Sequence, residues 1–245
     1  MEQLMSQNDH LVLISGKSAT GKSACLMDIA KPEGVIYLNC ENNKKLPFRS
    51  KFTEFNITDP MQVYQAFQEA EGMPEIHTIV VDSLTYLMDL YESKYVLTSS
   101  NTMKAWGDYA QFYKRLMNDH VAKSTKNVIF TAHTADILNE SDMALETKVK
   151  VKGSIMNQGV ESYFSTVIST KKVTLKQLKN YESDLLTITP EEEALGFKYV
   201  FQTQITKETV NESMRGPLKM WKTGETYIDN NIQLVIDRLH EYYDN

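Results

Sequence analysis

The chain has 245 residues, of which 42% are hydrophobic, and its formal net charge is −6. This length and hydrophobic content suffice for one large α/β core, so we expect a single domain over residues 1–245. The acidic balance excludes a generally cationic nucleic-acid coat, and contact with a polyanion would have to use a local basic stripe.

Apolar runs alternate with helical stretches through the first half of the chain. The runs predict buried parallel strands at residues 11–14, 35–38, 76–81 and 128–130. Helices are predicted over residues 22–30, 60–71 and 109–120. This alternation predicts an α/β fold with a mostly parallel central sheet covered by helices.

The second half of the chain is richer in strand-forming residues. Residues 148–152, 164–173 and 196–206 predict further strands that extend the same sheet, and we expect added antiparallel strands in this C-terminal half. Residues 175–193 are polar, with a break at Pro190, and predict an inserted helix or excursion. Residues 231–243 place apolar side chains on one helical face, which predicts a C-terminal helix.

Cysteine content and hydropathy indicate in which cellular compartment the protein is expected. Cys25 and Cys40 are the only cysteines, too few for a zinc ribbon or a disulfide framework. No apolar run approaches the roughly 20 residues of a membrane span. We therefore expect a cytoplasmic protein with no membrane partner.

The stretch GKSATGKS at residues 16–23 matches the phosphate-loop pattern G-x-x-x-x-G-K-[ST] in full. Its glycines let backbone N–H groups point at phosphates, and Lys22 would reach the β- and γ-phosphate oxygens. Ser23 and Asp82, the latter ending an apolar strand, are predicted to hold Mg²⁺. The predicted nucleotide contacts are Gly16, Lys17, Ser18, Ala19, Thr20, Gly21, Lys22, Ser23, Ala24 and Asp82. The alternatives are a chance Gly-Lys-Ser turn and, for Asp82, a helix N-cap.

The segment Val80-Val81-Asp82-Ser83-Leu84, downstream of such a loop, resembles the Walker B segment of the RecA-type ATPases, a group that includes the hexameric replicative helicases. The resemblance spans residue 10 to about residue 221 and implies ATP with Mg²⁺ as cofactors. It implies a catalytic glutamate at Glu41, after the second strand, and a polar sensor at His133. RecA-type recombinases usually carry glutamine at the sensor position, and histidine instead matches the small phage RecA-like annealing ATPases. Glu41 as a solvated carboxylate and His133 as a structural residue remain open alternatives.

The same resemblance implies contact with single-stranded DNA through residues 92–106 and 134–157. The first segment offers Lys94, Tyr95, Lys104 and Trp106 for charge and stacking, although Trp106 could equally anchor the core. In the second, Lys148, Lys150 and Lys152 would project from one side of an extended strand as a cationic row. The alternative is a solvated edge that discourages aggregation.

RecA-like ATPases complete their site with a basic finger from the adjoining subunit, which implies a homo-oligomer, either ring or filament. Arg215-Gly216-Pro217 resembles the finger turn of hexameric helicases, and Lys207 is a second candidate. The alternative for either residue is a turn residue near a β edge. The implied function is a DNA-stimulated ATPase, cytoplasmic in the host if phage-encoded, that promotes strand annealing or exchange during recombination. A single-strand-binding protein is a further implied partner. The alternatives are a ring helicase or translocase and a nucleotide-dependent switch acting on a protein.

Overall fold

A computed structural model describes residues 8–139 and 143–244. In these residues one mixed sheet has the strand order β3-β2-β4-β5-β1-β7-β8-β9, and β6 pairs with an extension of β5. The strands are β1 (Leu11–Gly16), β2 (Val35–Asn39), β3 (Thr53–Asn56), β4 (Thr78–Asp82), β5 (Asn127–Asn139), β6 (Ala144–Val149), β7 (Thr166–Thr174), β8 (Phe197–Gln202) and β9 (Tyr227–Asp229). Strands β1 to β5 and β7 are parallel, whereas β6, β8 and β9 are antiparallel to their neighbours. The predicted α/β class, with a mostly parallel sheet and antiparallel additions, is confirmed.

Helices flank the sheet on both faces. They are α1 (Gln62–Glu71), α2 (Leu84–Tyr91), α3 (Thr102–Arg115), α4 (Ser154–Gln158), α5 (Leu175–Leu178), α6 (Pro190–Leu195) and α7 (Ile232–Tyr243). Helices α2 and α3 each continue into a π-helical turn, Glu92–Val96 and Leu116–His120. Among the described residues, no helix is long and apolar enough to cross a membrane.

The two largest of the three apolar clusters in the described residues lie on opposite faces of the sheet, because successive side chains of a strand point to opposite sides. In β1, Leu11 and Leu13 join the core beneath α1, α2 and α3, whereas Val12 and Ile14 join the core beneath α7. All four side chains are at most 2% exposed. Burial on both faces explains why this strand is a continuous apolar run rather than an alternating one.

The prediction of a helix over residues 22–30 is wrong. Only Ala24–Leu26 forms a 3-10 turn there. The Gly21 carbonyl accepts from both the Cys25 amide at 3.0 Å and Asn230 at 2.9 Å, so one helical hydrogen bond is kept there. At the other end, the Ala30 amide donates to Gln233 Oε1 of α7 at 2.9 Å instead of to a carbonyl of its own segment. A tertiary hydrogen bond therefore competes with the helix at its C-terminal end.

The strand predicted over residues 148–152 is also corrected, because β6 ends at Val149. Strand β6 pairs with Thr134–Asn139 of β5, the part that extends beyond the main sheet. Strand β4 flanks β5 as far as Phe130, and beyond Val149 the Lys150 amide still donates to the His133 carbonyl at 2.8 Å, but the register of β6 with β5 ends at the Thr134–Val149 pair. Lys150 and Lys152 consequently lie outside the strand. Likewise β8 ends at Gln202, short of the predicted residue 206.

Candidate nucleotide-binding site

The phosphate loop, Glu41, Asp82 and His133 surround one cavity of about 410 Å³ at the carboxyl edge of the parallel strands. Strands β1, β2, β4 and β5 run in the same direction, so the residues that follow them meet at this edge. Six loop residues line the cavity, namely Ser18, Ala19, Gly21, Lys22, Ser23 and Ala24. Residues as far apart in the sequence as Ser18 and Asn230 therefore share one site.

Two glycines shape the loop through close approach and backbone conformation. A Cβ at Gly16 would lie 2.2 Å from Thr170 Oγ1, and Gly21 has a φ of +98°, which L side chains rarely adopt. Thr20 Oγ1 holds the loop from both sides, donating to the Lys17 carbonyl at 2.8 Å and lying 2.6 Å from Thr170 Oγ1. The loop is thus fixed against β7 on one side and against Asn230 on the other.

Lys22 extends along the inside of the loop. Its Nζ donates to the carbonyls of Gly16 at 3.1 Å and Lys17 at 2.8 Å. Burial lowers the pKa of Lys22 to about 8, against the opposing attraction of Asp82 and Glu41. Among the described residues, the hydrogen-bond partners of this buried ammonium are neutral carbonyls. Such a group suits an anionic ligand, because phosphate oxygens would compensate its lost hydration.

Asp82 is 1% exposed and accepts hydrogen bonds from three hydroxyl groups. Ser23 Oγ donates to Oδ2 at 2.8 Å, the Tyr37 hydroxyl donates to the same oxygen at 2.7 Å, and Thr131 Oγ1 donates to Oδ1. Adjacent ligands of an octahedral Mg²⁺ with bonds of 2.0–2.1 Å lie roughly 2.9 Å apart. The spacing of the Ser23 and Asp82 oxygens therefore fits two neighbouring Mg²⁺ ligands.

Glu41 sits between two cationic or ionisable partners. His133 Nε2 lies 3.1 Å from Glu41 Oε1, and Lys44 Nζ donates to Oε2 at 2.8 Å. The hydrogen bond with His133, reinforced by Lys44 and opposed by burial, lowers the pKa of Glu41 to about 2. The carboxylate is therefore ionised at neutral pH and faces the same cavity as Lys22.

His133 links this cavity to the scaffold around it. Its backbone amide donates to Thr85 Oγ1 at 3.0 Å, and its ring meets Tyr86 edge-on at 5.5 Å. The structure thus brings Glu41, His133, Lys22, Ser23 and Asp82 together. Their catalytic and metal-binding roles stay predictions.

The two predicted finger residues lie outside this cavity. Arg215 is exposed and forms an antiparallel bridge with Val167 of β7, beside a separate cavity of about 260 Å³. Lys207 is 91% exposed at its side chain and pairs with Glu208 at 3.6 Å. Neither reaches the phosphate loop of its own chain, and a role in a neighbouring subunit stays a prediction.

The predicted DNA segments differ from the expectation in several places. Residues 92–106 are mostly helical rather than a loop, with Lys94 and Tyr95 both hydrogen-bonded to Asp59. Trp106 packs against the core and contacts Tyr109 edge-on at 5.2 Å. The segment 134–157 includes residues 140–142, which lie outside the described residues.

The predicted cationic row is partly neutralised within the chain. Lys148 pairs with Glu146, and Lys152 Nζ pairs with Glu92 at 2.6 Å. Lys150 is exposed, and its backbone amide donates to the His133 carbonyl at 2.8 Å. Of the three lysines, Lys150 is the one best able to meet an external phosphate.

Sequence reasoning missed several residues of the site. Tyr37 and Thr131 are polar positions near the carboxyl ends of apolar strands, a signal that could have indicated them. Lys44, Tyr199 and Asn230 also line the cavity. Lys44 follows Glu41 by three residues through a turn. Tyr199 and Asn230 carry no local motif and reach the site through the fold.

A family model described as an AAA domain matches residues 9–195, more than half of the chain. The chain belongs to this family. The matched residues include the phosphate loop, Glu41, Asp82 and His133, so the AAA-type domain is a P-loop, nucleotide-binding ATPase domain. Arg215 and α7 lie beyond the match. No curated protein matches the chain.

Proposed function

We propose that this AAA-type domain hydrolyses ATP with Mg²⁺ and uses the nucleotide cycle to bind single-stranded DNA and promote strand annealing or exchange. The observation that carries the enzymatic part is the 2.8 Å approach of Ser23 Oγ to Asp82 Oδ2 beside Lys22. The recombination part rests on the resemblance to phage RecA-like annealing ATPases and on the path of β5.

In this proposal the chain's own groups hold the ligand. The loop amides and Lys22 bind the phosphates, and Ser23 and Asp82 hold Mg²⁺. The metal, when bound, neutralises negative charge on the phosphate oxygens. Lys22 exchanges its two carbonyl partners for phosphate oxygens, which keeps the buried ammonium paired.

Glu41 is the proposed base that orients and polarises water. Its ionised carboxylate can accept a hydrogen bond from the water, and Lys44 and His133 hold the carboxylate in place. A pKa of about 2 makes it a weak proton acceptor, so orientation of the water is its main contribution. Displacement of Lys44 or His133 on nucleotide binding would raise that pKa and strengthen the base.

Strand β5 is the proposed link between the nucleotide and DNA. On this strand Thr131 donates a hydrogen bond to Asp82, and His133 contacts Glu41. The residues that follow form the extension that pairs with β6. Lys17 of the phosphate loop also reaches this extension, where its Nζ donates to Asp136 Oδ2 at 2.7 Å. A change in the loop can therefore reach the segment that bears Lys148 and Lys150 in two ways. One is the contact of Lys17 with Asp136, and the other runs from Ser23 through Asp82 to Thr131.

The proposed assembly is a ring or filament of identical chains. Arg215 is exposed on its own chain and would stabilise phosphate charge in the site of a neighbour. A single-strand-binding protein is the proposed additional partner.

A protein-directed switch is the second candidate, and one observation favours it. Leu138 and Leu145 form a cross-strand pair at the end of the β5–β6 extension, 53% and 60% exposed, and the nearby Met143 is 80% exposed. Exposed apolar groups of this kind suit a protein partner better than a phosphate backbone.

The deciding experiment measures ATP turnover with and without single-stranded DNA, on material sized by light scattering. We expect turnover that rises with DNA, together with annealing of labelled complementary strands, and neither activity in Lys22→Ala. ATP turnover that is indifferent to DNA, without DNA binding, would favour the protein switch. Unwinding of a duplex driven by hydrolysis would instead favour the helicase alternative.

A further inference from the structure

A second cluster of potential ligands lies at the amino edge of the sheet, away from the nucleotide cavity. Within the described residues, His10, His240 and Asp244 bring one ligand atom each to within 4.8 Å of one another. His10 precedes β1, His240 lies in the last turn of α7, and Asp244 caps that helix. The cluster joins two segments that are distant in sequence.

His10 Nε2 is buried without a hydrogen-bond partner among the described residues. Asp244 Oδ1 is 3.4 Å away, beyond the usual 2.7–3.2 Å of an N–H···O bond. An unpaired polar atom in this setting costs free energy, so its retention calls for an explanation. A missing ligand at Nε2 supplies one.

The spacing suits a tetrahedral transition-metal ion. Ligands bound at 2.0–2.1 Å in a tetrahedron lie roughly 3.3–3.4 Å apart, close to the distance from His10 Nε2 to Asp244 Oδ1. His240 Nδ1 is 2.5 Å from Asp244 Oδ2, a hydrogen bond that a metal ion would replace. A neighbouring cavity of about 440 Å³, lined by His10 and His240, leaves room for water as a fourth ligand.

The two imidazole rings lie side by side, with their centroids 4.2 Å apart. One nitrogen of each ring, together with an oxygen of Asp244, can therefore reach a single ion.

We propose that His10, His240 and Asp244 bind a divalent transition-metal ion of the Zn²⁺ class, which clamps the start of β1 to the end of α7. Such a site is structural and separate from the Ser23–Asp82 pair. Because β1 leads into the phosphate loop and α7 follows Asn230, the clamp would hold together the two segments that flank the loop.

The test uses the full chain, stripped with a chelator and titrated with Zn²⁺ or Co²⁺ in the presence of excess Mg²⁺. We expect one Zn²⁺ per chain by calorimetry, visible absorption bands from bound Co²⁺, and a rise in Tm on the order of 5–10 °C at a 100-fold excess over Kd. Asp244→Asn and His240→Gln should each weaken binding by at least about tenfold. Both alter half-exposed side chains, so the variants should fold.

His120→Gln is the matched control, because His120 stacks on Tyr64 and lies outside the cluster. It should bind Zn²⁺ like the unsubstituted chain. Absence of stoichiometric binding would overturn the proposal. Binding that survives unchanged in both Asp244→Asn and His240→Gln would overturn it as well.

Discussion

Glu41 Oε1 and His133 Nε2 lie 3.1 Å apart, although the strands that precede them, β2 and β5, are separated in the sheet by β4. The two side chains meet beyond the carboxyl end of β4, the strand that ends at Asp82. With Lys44, it keeps the pKa of Glu41 at about 2, well below its usual 4.5. The resulting contribution to the free energy of unfolding is present above about pH 4.5 and is lost as pH falls towards 2.

Glu41→Gln should permit ATP binding and block hydrolysis. The amide keeps the size of the side chain but removes the charge that polarises water, so kcat should fall by about 10²–10⁴. The measurements are single-turnover hydrolysis and Kd for ATP. Glu33→Gln, an exposed carboxylate outside the cavity, is the control. Turnover at the normal rate in Glu41→Gln would remove Glu41 from the reaction.

His133→Ala should uncouple DNA from ATP turnover. It removes the contact between Glu41 and β5, so we expect stimulation by DNA to fall more than basal turnover. His133→Gln can still donate to Glu41 and should restore part of the stimulation. The measurement is the ratio of turnover rates with and without single-stranded DNA. Equal losses in both variants would indicate that His133 supports only the local fold.

ATP affinity should decline as pH rises above about 8. Burial lowers the pKa of Lys22 to about 8 in the free site, and bound phosphates would raise it, so the protonated form binds more tightly. Above pH 8 binding must take up a proton, and affinity should fall by up to about tenfold per pH unit. Titration with a fluorescent ATP analogue measures this. Lys22→Met should bind weakly at every pH, with no such slope.

Tyr37→Phe should destabilise the protein without altering its shape. The variant removes one of the three hydroxyl donors to the buried Asp82 and should lower the free energy of unfolding by about 1.5–3 kcal/mol. Denaturant unfolding measures the loss. Tyr64→Phe, which removes a bond to the neutral Phe112 carbonyl, is the control and should cost only about 1 kcal/mol. A loss no larger than that in the control would mean that Tyr37 adds no charge-assisted bond.

Lys150→Ala should weaken DNA binding more than Lys148→Ala. Lys150 is exposed, whereas Lys148 must leave Glu146 before it can meet a phosphate. Each phosphate contact that is lost should reduce the slope of log K against log salt by about 1. Fluorescence anisotropy over a salt series measures both quantities. Identical binding in Lys150→Ala would exclude the segment after β6 from the DNA interface.

The sequence alone was enough to predict the sheet class and the phosphate loop, because both depend on local patterns. Continuous apolar runs mark strands buried on both faces, and the spacing of Gly16, Gly21, Lys22 and Ser23 encodes the loop directly. The position of Asp82 at a strand end followed from the rule that parallel strands share a carboxyl edge. These features need no knowledge of distant contacts.

Only the tertiary structure decided which other side chains meet there. Tyr37, Thr131 and Asn230 reach the site because the sheet order sets β2 and β5 beside β4 and brings the segment before α7 to the loop. A contact of the same kind, from the Ala30 amide to Gln233, competes with the helix expected over residues 22–30, of which only a 3-10 turn forms. Hydrogen bonds between residues far apart in the chain outweighed local helix propensity, which amounts to less than about 1 kcal/mol per residue.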